Sequence, residues 1–490
     1  MREIFKAPSW MLGRGTSVLP VIASMAILSV AACSPASLVD VQAPSEILPP
    51  EAAMTPEGAT NLHNFAVTNF SRTLSGQGDF GVTFFDGYIG ATGLFTDEFQ
   101  RTDAIMTAGI DERNASTALA TDFQGTPYSP FSQLYFLLQR ARAEALQARQ
   151  ALQAYGPNLP KTMQSRMYSQ DAYATLYFAE FFCSGIPLST SPLSGKFVYQ
   201  AGSTTEELFQ TAIVLFDSAL TTAGDSERFT NLARIGRARA LLGLGRFAEA
   251  AQAVADIPTT YRYDVEYSLN VMNAIFSGNM FGSNGRDITI TDEEGGVPQR
   301  WSGDPRVPIV NAVNQYGNAT RAPTKYPTST SPIRLADGIE ARLIEAEADL
   351  DGAGTLWLQI LNDLRRSCTT ASGCAPVPGI TETTFTELTD PALAPIPPGK
   401  TAKDVRLDLI IQERGYWLFA TGHRQGDFRR LLRVYRRDQA DVYPTGTYIN
   451  SVSTFVQAET AEYGTDVVAV PDPLERKNNP KYRGCFNLNP

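Results

Sequence analysis

The sequence predicts a mainly α-helical protein: an irregular scaffold of helical hairpins with one loop-rich face that carries short strands. Two observations point there. Apolar residues recur at i, i+3, i+4 and i+7 spacing through most of the chain, the signature of helices with one buried face. Between residues 257 and 331 that periodicity fails, and Tyr261, Tyr263, Tyr267, Phe276, Phe281, Trp301, Tyr316 and Tyr326 stand among Gly, Asn, Pro and Asp. A stretch that long is too extended for a plain connection and reads as functional loops with short strands.

The first 32 residues are set apart from the fold. Arg2, Lys6 and Arg14 make a basic start, followed by an apolar run from Val18 to Val30. That run falls short of the ~20 apolar residues a bilayer crossing needs, so it reads as a secretory signal. It ends in Val30-Ala31-Ala32-Cys33, which resembles a bacterial lipobox, with Cys33 as the acylated residue. A multiply acylated N-terminus supplies the two or more chains that stable anchoring requires. Residues 33–57, with Pro35, Pro44, Pro49, Pro50 and Pro56 among small and acidic residues, read as an extended tether. A single domain then runs from 58 to 490.

In the domain, helices are predicted over 58–71, 131–155, 162–182, 205–223, 229–243, 246–256, 332–350, 354–367 and 403–420, each bounded by Gly, Pro, Ser, Thr or Asp signals. Ala238-Arg-Ala-Leu-Leu-Gly-Leu-Gly-Arg-Phe-Ala-Glu-Ala-Ala251, followed by Pro258, resembles the heart of a tetratricopeptide repeat. Ala238, Gly245 and Ala250 let two antiparallel helices approach, and Phe247 fills the space between them. The pairs 162–182 with 205–223 and 332–350 with 354–367 have the same form. Their wide separation in sequence predicts a tetratricopeptide-like scaffold without a regular array.

The chain has 490 residues, 43% of them hydrophobic, enough for a large core. Lys plus Arg number 41 against 51 Asp plus Glu, a formal charge of -10, so no uniform positive field draws in nucleic acid. Of five cysteines, assigning Cys33 to lipid leaves four, with three pairings open. The short Gly/Ser/Thr loop between Cys368 and Cys374 suits a local bridge, leaving Cys183 with Cys485. A metal site is the weaker reading, because the spacing is wrong for a zinc knuckle and His63 and His423 are the only histidines. Calcium at Asp292-Glu293-Glu294-Gly295-Gly296 lacks the EF-hand spacing, and no cofactor motif is present.

Several segments, in order, carry a family resemblance that spans nearly the whole mature chain. Gly93-Leu-Phe-Thr-Asp-Glu98 and Tyr177-Phe-Ala-Glu-Phe-Phe-Cys-Ser-Gly-Ile-Pro-Leu188 come first; Arg342-Leu-Ile-Glu-Ala-Glu-Ala348 follows. The longest is Ile411-Gln-Glu-Arg-Gly-Tyr-Trp-Leu-Phe-Ala-Thr-Gly-His-Arg-Gln-Gly-Asp-Phe-Arg-Arg430, and Pro471-Asp-Pro-Leu-Glu-Arg-Lys-Asn-Asn-Pro480 closes the set. Together they resemble the SusD/RagB-like family of nutrient-uptake outer-membrane lipoproteins. Trp417, Ala420-Thr421 and Gln425-Gly426 depart from the family pattern, which bears on the subfamily. The resemblance implies a helical platform that captures an oligosaccharide or peptide and docks on a SusC-like TonB-dependent transporter, lipid-anchored to the outer membrane and facing the cell exterior. Glu413, Arg414, Arg424, Asp427 and Arg429 read physically as charge-assisted hydrogen bonds between a helix and the turn after it, with His423 a structural member of that block.

In that setting Trp301 and Tyr316, then Tyr88 and Tyr326, are the candidates for stacking on a ligand. A glycosidase would need paired carboxylates, for which Asp97/Glu98 and Asp292/Glu293/Glu294 are candidates, but adjacent acids do not establish a pair across a cleft. G-x-S-x-G, H-E-x-x-H and P-loop motifs are absent. The expected function is therefore binding without catalysis; an envelope scaffold and a surface glycosidase are the rival readings.

Overall fold

The computed structural model describes residues 54–487 apart from 77–86, 97, 102–107, 112, 114–119, 122–126, 129, 274, 276–287, 293–295, 298, 315–316, 369–384, 450–459 and 465–472. The signal segment, Cys33 and the tether to residue 53 lie outside the described residues. Residues 53–490 form one compact unit, and it is mainly helical.

Helix α1 (Pro56–Ser75) starts where its local chemistry dictates: the Thr55 hydroxyl accepts from Gly58 N at 3.0 Å, and Pro56 sits where its missing N–H costs nothing. After α2 (Tyr88–Phe95) and a short turn α3 (Ala108–Asp111) come α4 (Pro130–Tyr155) and α5 (Lys161–Phe181). Then α6 (Thr205–Thr222), α7 (Glu227–Gly243), α8 (Phe247–Val254), α9 (Gly338–Asp351) and α10 (Trp357–Ser367) follow. Each packs on its neighbour in a run: α1 on α4, α4 on α5, α5 on α6, α6 on α7, α7 on α8, α8 on α9 and α9 on α10. This is the tetratricopeptide-like stack of hairpins, interrupted by inserted loops.

Small residues set the spacing of the stack. Ala59 and Ala66 of α1 meet Ala145, Ala148 and Ala151 of α4, so those backbones lie close. A Cβ on Gly236 of α7 would sit 2.2 Å from the Phe216 ring, so glycine lets α6 press its aromatic residue against the α7 backbone. Helix α6 is fixed at its start by a reciprocal cap, Glu207 N to Thr204 Oγ1 at 3.0 Å and Thr204 N to Glu207 Oε2 at 2.8 Å.

Three elements differ from expectation. The helix expected over 332–350 is a strand, Ile333–Asp337, followed by α9; the strand pairs antiparallel with Arg262–Val265. Asp337 ends one and begins the other, its carboxylate accepting from Glu340 N at 2.8 Å. Gly338 is required at that junction, because a Cβ there would lie 2.1 Å from Pro258 O. Second, α2 is buried on every side, so it has no polar face to reveal its period. Third, helix α11 (Ala402–Trp417) gives way to a turn and a further helix, α12 (Arg424–Arg433), where a turn alone is expected.

The 257–331 segment does contain short strands, among them Arg262–Val265, Ile309–Val313 and Ala319–Pro323. Its described aromatic residues fold inward: Tyr263, Tyr267, Trp301 and Tyr326 are buried in the main core. Near the C-terminus, a disulfide joins Cys183, just after α5, to Cys485, with Cα atoms 5.8 Å apart. Cys368 is also disulfide-bonded; Cys374, its expected partner, lies outside the described residues.

Candidate functional site

The 411–430 block is the electrostatic centre of the molecule, and its partners come from distant parts of the chain. Glu413 is gripped by Arg306 (Nη1 to Oε2, 2.7 Å; Nη2 to Oε1, 3.1 Å) and by Arg365 (Nε to Oε2, 3.1 Å). Burial would raise its pKa; the two guanidiniums overcome that and hold the carboxyl below the usual carboxylate range. Arg306 also binds Asp304 and lies 4.7 and 4.6 Å from the centres of the Tyr416 and Trp417 rings. Asp427 receives Arg414 at 2.9 Å and Arg430 at 2.8 Å, and Arg430 forks onto Glu347 at 2.6 and 2.7 Å. Burial opposes ionisation of Asp427 as well, and its two arginines again prevail, placing it far below the ordinary range.

The block is expected to bond a helix to its following turn; Arg414 does reach Asp427, but Asp427 stands on α12, so the bond joins two helices. Arg424 instead donates to Thr96 O at 3.2 Å, and Arg429 donates to Ala179 O and Phe182 O at 2.8 and 2.7 Å. These side chains tie α12 to α2 and to the end of α5. A charge pattern in sequence shows that such bonds form but not across which helices.

The turn between α11 and α12 is held at nearly every backbone group. Ala420 and Gly422 have φ of 54° and 76°, so their peptide groups point away from any helical ladder. Lys325 Nζ donates to Phe419 O, Tyr326 OH to Ala420 O at 2.7 Å, and Arg239 to Gly422 O at 2.9 Å, while Ala420 N donates to Glu98 Oε1 at 3.2 Å. Burial pulls the Lys325 ammonium down to about 8.

Between this turn and the two-stranded sheet lies a cavity of about 340 Å³. Arg262, Asp264, Arg334 and Asp337 contribute from the sheet, and Lys325, Tyr326, Pro327 and Pro332 from the loop before its second strand. Glu340 comes from α9, and Trp417, Leu418, Thr421 and His423 from α11 and the turn. The cavity mixes apolar wall with fixed polar groups, the composition of a small-molecule site.

The structure corrects three of the four proposed stacking residues. Trp301 is 1% exposed, Tyr88 0% and Tyr326 2%, so none offers a free ring face. Tyr88 stacks on Tyr177 at 3.8 Å and donates to Glu180 Oε2 at 2.7 Å. Trp301 packs against Phe419 at 5.4 Å with the Arg424 guanidinium 4.8 Å from its ring. Tyr326 lines the cavity, but its hydroxyl holds the turn. Tyr316 lies outside the described residues, as do Asp97, Glu293 and Glu294. Glu98 accepts from a backbone N–H, and Asp292 accepts from Ser302 N and Arg321 at 2.9 and 3.0 Å, so both carboxylates have structural partners. Among the described residues no group of three metal-binding side chains is assembled. No sequence motif marks the cavity as a whole, but two departures from the family pattern, Trp417 and Thr421, line its wall.

No family model matches the chain, and no curated protein matches it. Solved structures do. A SusD-like carbohydrate binding protein from Bacteroides vulgatus is 12% identical, with a TM-score of 0.56 over 87% of this chain and 97% of that one. A SusD superfamily protein from Bacteroides thetaiotaomicron is 14% identical, with a TM-score of 0.57 over 89% and 100%. A surface glycan-binding protein A from Bacteroides uniformis is 12% identical, with a TM-score of 0.55 over 88% and 99%. The helical scaffold with its inserted loops is thus the SusD-like fold, as the motif resemblance implies. The agreement spans nearly the full length of the solved chains.

Proposed function

We propose that the protein is a non-catalytic, lipid-anchored capture protein that binds an oligosaccharide and hands it unchanged to a SusC-like TonB-dependent transporter in the outer membrane, at the cell exterior. The observation that carries this reading is the fold likeness over almost the whole chain, shared with proteins described as carbohydrate-binding and glycan-binding. The cavity beside the 418–423 turn supports it with a concave, partly apolar surface. Capture is favoured over an envelope scaffold by these neighbours, and over a glycosidase by the engagement of Glu98 and Asp292 in structural hydrogen bonds. A peptide ligand is the alternative cargo.

Among the described residues no helix is long and apolar enough to cross a membrane, so attachment in this reading falls to Cys33. Cys33→Ser is expected to move the protein from the membrane to the soluble fraction and to abolish incorporation of labelled fatty acid. Equal labelling of the variant would refute the anchor. Gentle extraction of the unaltered protein from native membranes is expected to bring a large β-barrel partner with it; recovery of the protein alone would count against transporter docking.

A further inference from the structure

Exposed cations such as Arg246, Arg366 and Lys403 pair with carboxylates, but those near the C-terminus do not. Arg476, Lys477, Lys481 and Arg483 are exposed, and among the described residues none of the four is paired with a carboxylate. Glu475 stands beside them in the short helix Pro473–Asn478, yet both its oxygens are engaged, one by Tyr135 OH at 3.2 Å and the other by Asn479 Nδ2 at 2.7 Å. The acid is held against the protein while its basic neighbours face solvent.

This segment lies along the loop that follows α5. Asn479 Nδ2 donates to Gln200 O at 3.0 Å, Lys481 Nζ to Tyr199 O at 2.9 Å and Phe486 N to Ser184 O at 3.2 Å. The loop adds one more exposed and unpaired cation, Lys196, followed by Phe197, which is 49% exposed and lies 4.7 Å from the Tyr199 ring. On the segment itself Phe486 is 56% exposed. The Arg476 guanidinium lies against Gly484, where a Cβ would be 2.6 Å from Nη2. These contacts run from Phe197 through Tyr199 and Lys481 to Arg483, Arg476 and Phe486, so cations and apolar rings share one strip of surface.

The strip adjoins the place where the chain enters the domain. Ala59, near the start of α1, packs with Ala145, Ala148 and Ala151 of α4, and Leu193 of the loop packs against the same small core. Leu193 N donates to Gln150 Oε1 at 2.8 Å, and Gln147 Nε2 donates to Ser191 O at 2.7 Å. A tether leading to a lipidated Cys33 therefore joins the domain beside this loop. A chain with a formal charge of -10 is repelled as a whole by an anionic membrane. Salt, however, screens exposed charges beyond about 8–10 Å, so the face nearest the membrane decides the contact. Unpaired cations beside exposed rings suit the headgroup layer, where phosphates meet the cations and aromatic rings sit at the boundary.

We propose that the strip carrying Lys196, Phe197, Arg476, Lys481, Arg483 and Phe486 is a membrane-facing surface, which rests on the anionic headgroups of the membrane that holds the anchor. The assignment rests on the lipid-anchor reading and adds an orientation to it.

The test is sedimentation of vesicles with the purified protein from residue 34 onward, which lacks Cys33 and keeps the whole compact unit. The vesicles are phosphatidylcholine alone, or with about one phosphatidylglycerol in three lipids. Binding to the anionic vesicles is expected to be at least about tenfold tighter than to the neutral ones, and to weaken at least about tenfold between about 0.05 M and about 0.5 M salt. Lys196→Gln, Lys477→Gln and Arg483→Gln together should weaken it by about a hundredfold, at roughly fivefold for each cation. None of the three bonds another side chain, so the far-ultraviolet circular dichroism should not change. Phe197→Ala alone should weaken binding by about fivefold. Arg228→Gln, Arg300→Gln and Lys403→Gln together remove the same charge from exposed positions elsewhere and should leave binding within about twofold. Equal affinity for neutral and anionic vesicles, no binding to either, or equal losses in the two triple variants would overturn the assignment. If the strip variant binds vesicles normally but no longer brings the barrel partner with it on extraction, the strip faces that partner and the membrane assignment falls. Fatty-acid labelling judges the anchor separately: no vesicle binding with Cys33 labelled sinks the strip and leaves the anchor, whereas equal labelling of Cys33→Ser sinks the anchor and leaves vesicle binding to decide the strip.

Discussion

Glu413→Ala is expected to lower the unfolding free energy by about 3–5 kcal/mol, the cost of breaking a buried ion pair by removing one partner. Glu413 and Arg306 are both buried, and Arg306 would keep only Asp304 among its carboxylate partners. The guanidinium is also enclosed by the Tyr416, Trp417 and Phe385 rings, which give its charge no route to water. Urea unfolding followed by circular dichroism measures the loss. Glu249→Ala, which breaks an exposed pair with Arg246, is the control and should leave the midpoint nearly unchanged. If both variants unfold alike, the buried network does not stabilise the fold.

The same network fixes the response to acid. Glu413 and Asp427 are held below their unfolded values, so the folded state releases protons that the unfolded state retains. Their contribution is complete above the unfolded pKa, about 4, and is lost as pH falls from there toward the lower folded values. Stability should therefore decline below about pH 4, and less steeply in Glu413→Ala.

Replacing Cys183 and Cys485 together by Ala is expected to cost roughly 5–6 kcal/mol in the chain-entropy account, because the bridge closes a loop across 302 positions. The bridge also fastens the C-terminal segment to the stack. Ser184 and Asn487 pair as an isolated β-bridge beside it, and Asn479 donates to Gln200 O at 3.0 Å. Calorimetry of the double variant, and of the unaltered protein with reductant, should show matching losses once the bridge involving Cys368 is accounted for. A loss under about 1 kcal/mol would mean that the unfolded chain gains little freedom from this cut.

Most of the helical stack is legible in the sequence, because helices with one buried face write a 3.6-residue period into the chain. The predicted 131–155 and 205–223 segments match α4 (Pro130–Tyr155) and α6 (Thr205–Thr222) closely. Where burial is complete the period vanishes, which hid α2 and with it the role of Tyr88. Leu335, Ile339 and Leu343 recur every four residues across the Asp337-Gly338 junction between the strand Ile333–Asp337 and α9, so the two read as one helix. The site was less legible than the fold. Aromatic residues scattered among Gly and Asn look alike whether they face a ligand or fold back on the core, and Trp301 and Tyr326 did the latter. The cavity joins residues 262, 334, 340 and 417, which no local pattern relates. Only the unusual residues at 417 and 421 marked it.

Incubation of the purified mature protein with a panel of neutral oligosaccharides, recording both calorimetric binding and new reducing ends, tests glycan capture without chemistry most directly. Saturable binding of at least one oligosaccharide, with the carbohydrate recovered unchanged, is the expected result. Release of new reducing ends at enzyme-like rates, or no binding across the panel, would contradict it.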